Sequence, residues 1–153
     1  MKLGPVPVDF SRLRRPRAHM VLVAAAGPGV NLVLAFAAAA AGHLIGFLPE
    51  RLGEWSAQML ENAIVLNLVL AVFNMLPLPP LDGGRVATGL LPIGLARPLA
   101  RLEPYGMLIV VGLMFLLPMI GAALSLNLNI FTTLIGPLVD LLYILVVTLA
   151  GSG

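Results

Sequence analysis

Charged side chains leave three long gaps in this sequence, and those gaps decide what the chain can fold into. No Asp, Glu, Lys or Arg occurs from Ala18 to Pro49, from Asn62 to Leu81, or from Pro104 to Val139. Each gap is long enough to cross a bilayer as helix, which takes about 20 residues. Of the 153 residues, 59% are hydrophobic and 10% charged, against roughly 45–50% and about 25% in soluble domains. The pattern predicts an all-α membrane protein, a single membrane-embedded domain over residues 1–153.

The last gap would be roughly 54 Å long as one helix, against a hydrocarbon core of about 30 Å. It must be broken, and Pro118, Gly121 and the polar "SLNLN" at 125–129 predict the break. About four transmembrane helices follow, over residues 28–47, 62–76, 104–124 and 129–150. Gly27-Pro28-Gly29 places Pro28 in the first turn of the first span, because proline lacks the backbone donor needed further in. Before it, "MKLGPVPVDFSRLRRPRAHM" is polar and proline-rich, which predicts a short extended N-terminal arm rather than a signal peptide. Residues 50–61, with three acids and Trp55, predict a non-cytoplasmic loop or an interfacial helix. The charged, proline-containing segment from Arg85 to Glu103 predicts interfacial helix fragments.

Arg12, Arg14, Arg15 and Arg17 crowd the flank of the first span and predict that this end is cytoplasmic, with both termini on that side. A net charge of +2 is too small to predict nucleic acid as a partner. There is no cysteine, so neither disulfides nor thiolate metal ligands are available. Asn67 and Asn74 sit within the second span, where amides most often make interhelical hydrogen bonds. Asp140 would lie inside the fourth span, and an intramembrane carboxylate is a functional-site candidate. The alternative is a helix that starts at Gly136-Pro137, with Asp140 in its first turn at the interface.

The segment of greatest chemical interest is "NMLPLPPLDGGRV", residues 74–86. Its prolines exclude a continuous helix, and non-helical backbone at membrane depth is found only where protein or a polar cavity surrounds it. A non-helical Pro/Gly loop is therefore predicted, with Gly83 and Gly84 permitting close backbone approach. Asp82 can be a ligand-bearing oxygen at a metal or ion site, or it can cap the helix that follows. On the residues alone the two accounts are evenly matched.

Asn74, Pro77, Pro79 and Leu81-Asp82-Gly83-Gly84 resemble the N-x-x-P-x-P-x-L-D-G-G signature of the site-2 protease family, the intramembrane zinc metalloproteases. "AAAGPGVN" at 24–31 is similar to that family's A-G-P-x-x-N, and "GPVPVDFSRLRRPR" to the loop that leads into it. The resemblance covers most of residues 3–103. It implies hydrolysis of peptide bonds of membrane proteins by one Zn²⁺, with a membrane-embedded transmembrane peptide as substrate. Such an ion is held by two histidines of H-E-x-x-H and by the aspartate of the L-D-G motif, leaving a fourth position for water. By position, Asp82 is the third zinc ligand. Asn74, Pro77, Pro79, Gly83 and Gly84 would position substrate or shape the site, with Asn31 and Asp140 as secondary candidates. A prokaryotic cytoplasmic membrane is the implied location.

The sequence departs from the family in one respect: it contains no H-E-x-x-H. Its two histidines are His19, followed by Met20, and His43, followed by Leu44. No residue therefore takes the catalytic role of the H-E-x-x-H glutamate. In the family that motif precedes the proline-rich loop, so the resemblance implies a C-terminal portion of such an enzyme, inactive alone. Two other functions compete: a non-catalytic relative that binds transmembrane segments, and a small transporter component, which only the broken apolar stretch and Asp140 favour.

Overall fold

A computed structural model describes residues 16–79 and 81–151. Of the predicted extended N-terminal arm, residues 1–15 lie outside these residues, and residues 16–20 are helical as the start of α1. Among them there is no strand: seven α-helices run in order as α1 (Pro16–Ala41), α2 (Glu50–Asn74), α3 (Asp82–Leu90), α4 (Ile93–Arg101), α5 (Gly106–Val111), α6 (Leu117–Ala123) and α7 (Gly136–Leu149). A 3₁₀ segment, Gly42–Phe47, extends α1, and π-helical stretches join α5 to α6 and lead into α7. Four helical stretches are long and apolar enough to cross a membrane: Arg17–Phe47, Glu50–Asn74, Ile93–Ala123 and Phe131–Leu149.

The first helix begins well before Pro28. Pro16, not Pro28, occupies its opening position, where a missing N–H costs nothing because that donor has no intrahelical partner. Pro28 lies buried inside α1, and the turn it weakens is the one against which α3 packs. Proline inside a membrane helix is tolerated where neighbouring protein surrounds the freed backbone groups. The segment 50–61 is helical and continuous with α2. Glu50 in its first turn suits the positive end of the helix dipole.

Three helices make the core. Ala35 and Ala39 of α1, Ile64, Leu68 and Val72 of α2, and Ile135, Val139 and Val146 on the path of α7 form one buried cluster, which Leu76 closes below. Small residues on α1 let the larger side chains of α2 and α7 approach its backbone closely, as membrane helix packing favours. The outer surfaces stay apolar, with Leu22, Val33, Leu66, Ile144 and Leu149 all at least 60% exposed, as suits lipid contact. Stretch 93–123 lies outside this core, and Met114 reaches in to touch it.

Three contacts fix the direction of α7. The rings of Phe73 and Phe131 stack at 6.4 Å where α2 ends. Further along, the Tyr143 hydroxyl donates to the Glu61 carboxylate, at 2.7 Å and 2.9 Å to its two oxygens. At the far end His43 Nε2 donates to the Ala150 carbonyl at 2.7 Å. α7 thus runs antiparallel to α2 and parallel to α1, and residue 151 lies at the end of the bundle where α1 finishes. Residues 16 and 151, the first and last described, therefore lie at opposite ends of the bundle, where the sequence predicts both ends on one side. Arginine flanks before two spans cannot reveal that Phe131 returns to the level of Phe73 before the last helix begins. Single cysteines at Ser56 and Ser152 should therefore react with an impermeant thiol reagent from the same side of the membrane, and one at Ser11 from the other. Labelling of Ser152 and Ser11 from one side would refute this topology.

Candidate functional site

α2 ends at Asn74, and the chain then turns through a segment that carries three prolines, Pro77, Pro79 and Pro80. Short-range bonds hold the turn: Leu76 N–H donates to Phe73 O at 3.2 Å, Leu78 to Leu76 O at 2.7 Å, and Leu81 to Leu78 O at 2.9 Å. Leu76 and Pro79 are buried. The bend returns the chain so that α3 starts directly against it. A Cβ on Gly83 would overlap the carbonyl groups of Met75 and Leu76, and one on Gly84 would overlap the backbone of Leu78 and Pro79. Only glycine permits this approach.

The rest of α3 is tied to α1. Gly89 lies against Val21, and a Cβ there would also come within 3.1 Å of Arg17 O. The Arg17 guanidinium crosses the end of α3, donating through Nη2 to Thr88 O at 2.9 Å and to Leu91 O. These carbonyls lie at the negative end of the helix dipole, where a cation is favoured. Thr88 Oγ1 donates back to Gly84 O at 2.8 Å. A helix of nine residues is too short to be stable alone, so these ties set the position of its first residue, Asp82.

Asp82 faces α1. An ideal Cβ on Gly27 would sit 2.8 Å from Asp82 Oδ2, so the carboxylate fills the space that glycine leaves. Asn31 is one turn further along the same face of α1. The residue at the N-cap of α3 is Leu81, and no side chain caps it; Asp82 stands one position later, in the first turn. The capping geometry weighed from the sequence is therefore not the one adopted. Asn74, half-buried, closes α2 above the loop.

Other candidates lie elsewhere. Asp140 is exposed on α7, nine residues past Phe131, or about 13 Å along the axis from the level of Phe73. The helical path there begins before Gly136, and no acid lies in the first turn of α7; the account of Asp140 as a first-turn residue does not hold. Asn67 donates to Ala63 O within its own helix at 2.8 Å rather than to a neighbour, because Leu68 and Ile64 occupy the face that meets α1 and α7. His43 lies in the 3₁₀ segment beyond the end of α1, sixteen residues past Gly27 and about 24 Å away along the axis. His19 is two turns before Gly27, about 12 Å along α1, and its Nδ1 is buried without a hydrogen-bond partner.

No three His, Cys, Asp or Glu side chains cluster among the described residues. A catalytic zinc takes three protein ligands, so these residues alone do not fit that ion, and Asp82 is the single candidate ligand at the loop. Gly27, Gly89 and Arg17 build the site as much as the signature does. Gly27 lay in a motif that reads as a helix start, and Arg17 in an arginine run that reads as a membrane flank.

The family model for peptidase family M50 matches residues 51–119, from α2 through the loop and Asp82 into α6. The protein YwhC of Bacillus subtilis (strain 168), provisionally named a zinc metalloprotease, is 37% identical over 147 residues, covering 88% of this chain. The chain belongs to peptidase family M50, the site-2 protease family. It spans 66% of the length of YwhC. No solved structure matches it.

Proposed function

We propose that this M50 chain forms part of an intramembrane zinc metalloprotease that hydrolyses peptide bonds of membrane proteins, with Asp82 as the third zinc ligand. The observation that carries the reading is the placement of the Asp82 carboxylate: on the first turn of a short helix clamped at both ends, facing a glycine of the neighbouring helix. A metal ligand must be held in place before the ion arrives, and two glycines, Arg17 and the proline turn spend their interactions on holding it. Asn74 at the end of α2 and Asn31 on the face of Gly27 are the amides available to position a transmembrane peptide. Pro77, Pro79, Gly83 and Gly84 give the loop its shape. The arginine flank supports a prokaryotic cytoplasmic membrane as location, with Asp82 at its inner side.

No three metal-ligating side chains cluster among the described residues, which supports a second reading, a relative that binds transmembrane segments without cutting them. One experiment separates the two. A segment carrying H-E-x-x-H from another M50 protein is joined ahead of Gly4, and metal content and cleavage of a transmembrane peptide are measured in detergent. Zinc near one per chain together with cleavage is expected for the chimera, and neither for the 153-residue chain. Stoichiometric zinc on the chain alone would overturn the missing-ligand argument. A chimera that takes up no zinc would favour the binding-only relative.

A further inference from the structure

At the same end of the bundle as Asp82, a separate cavity of about 250 Å³ is lined by Arg17, Met20, Thr88, Ile93, Ala96, Arg97 and Ala100. It lies between the first turn of α1, the end of α3 and one face of α4. Ile93, Ala96, Arg97 and Ala100 fall at spacings of three, four and seven, which is a single helix stripe. The cavity contains two cations and no acid. The acid nearest in sequence to α4, Glu103, instead pairs with Arg85 at 3.9 Å. Among the described residues Arg97 has no ion-pair or hydrogen-bond partner. Arg17 contributes Nη2 to α3, which fixes the plane of its guanidinium and orients the remaining donors.

α4 itself is amphipathic. Ile93 and Leu95 are exposed at 58% and 61% beside Arg97 and Arg101, the composition of a helix lying in a membrane interface. Arg12, Arg14 and Arg15 precede Arg17 in the sequence. A guanidinium pair over an apolar floor, at the start of the candidate spans Arg17–Phe47 and Ile93–Ala123, has the chemistry to hold a phosphate at a membrane surface.

We propose that this cavity binds the phosphate headgroup of an anionic membrane phospholipid, with Arg17 and Arg97 on the phosphate and Met20, Ile93 and Ala100 against the start of the acyl chains. The site is independent of zinc and of Asp82. Because Arg17 also ties α3 to α1, the bound lipid would brace the helix that carries Asp82.

Native mass spectrometry of the full chain released from detergent tests this, with dioleoyl phosphatidylglycerol, dioleoyl phosphatidylcholine and inorganic phosphate as probes. One phosphatidylglycerol should remain bound, in preference to phosphatidylcholine. Arg97→Gln should weaken it by about five- to tenfold, in line with the worth of one basic residue near a membrane surface. Ala100→Glu, which puts a carboxylate on the cavity face, should weaken it at least as much. Arg101→Gln, outside the lining, should leave it unchanged. Equal retention of both lipids, or loss from Arg101→Gln equal to that from Arg97→Gln, would overturn the site. Displacement of the lipid by millimolar inorganic phosphate would show a soluble phosphate site and overturn the lipid assignment.

Discussion

Asp82→Ala, made in the H-E-x-x-H chimera, should abolish both zinc retention and peptide cleavage while leaving the helical content intact. Loss of even an outer-shell partner of a metal typically costs about 10–100-fold in affinity or activity, so loss of a direct ligand should cost more than 10²-fold. The scaffold should survive, because the Asp82 side chain makes no hydrogen bond among the described residues and its helix is fixed by Gly83, Gly84, Gly89 and Arg17. Gly27→Ala should reproduce part of the effect without touching a ligand, since its Cβ would stand 2.8 Å from Oδ2 and push the carboxylate aside. Asn74→Ala should keep zinc and slow turnover, by about 10²–10³-fold if the amide stabilises a developing oxyanion. Asp140→Asn, on an exposed face of α7, should leave zinc and turnover unchanged. A chimera that cuts equally well with Asp82→Ala would remove Asp82 from the site.

What the sequence revealed and what it hid divide along a physical line. The fold class was legible because charge is excluded from hydrocarbon, so the gaps between charged residues mark out helices that the structure contains. The family was legible because a proline–glycine loop carrying one aspartate is rare within so apolar a chain. Pro28 misled, since local backbone preference argues for a helix end there. The structure keeps helix through it because α2, α3 and α7 pack around α1. The direction of α7 was hidden for a different reason. Flanking charge records where a loop lies only if each apolar stretch crosses once, and here the chain is back at the level of Phe73 by Phe131, before α7 begins. Arg17 and Gly89 could not be recognised in advance because their partners are 71 and 68 positions away in sequence, and only the fold brings α3 beside the start of α1.

Gly83→Ala and Gly84→Ala should each destabilise the protein by several kcal/mol, although alanine is the better helix former. Both positions lie in the first turn of α3, where replacing glycine by alanine would ordinarily gain up to about 1 kcal/mol. Against that gain stands overlap with backbone: the Met75 and Leu76 carbonyls for Gly83, and Leu78 and Pro79 for Gly84. A side chain can swing aside, but a proline turn buried beneath the core cannot. Even ordinary overpacking costs about 1–3 kcal/mol, and here the obstructing atoms belong to the loop itself. Gly94→Ala provides the control, because a Cβ there meets nothing within 4 Å and α4 should gain from it. Thermal unfolding in detergent, followed by circular dichroism, should order the variants with Gly94→Ala at or above the parent and the other two well below. If Gly83→Ala melts with Gly94→Ala, the loop is looser than its contacts imply. If the order holds, the tight seat beneath α3 is what fixes Asp82 against Gly27. The glycine pair then belongs to the site through the position it imposes on the aspartate beside it.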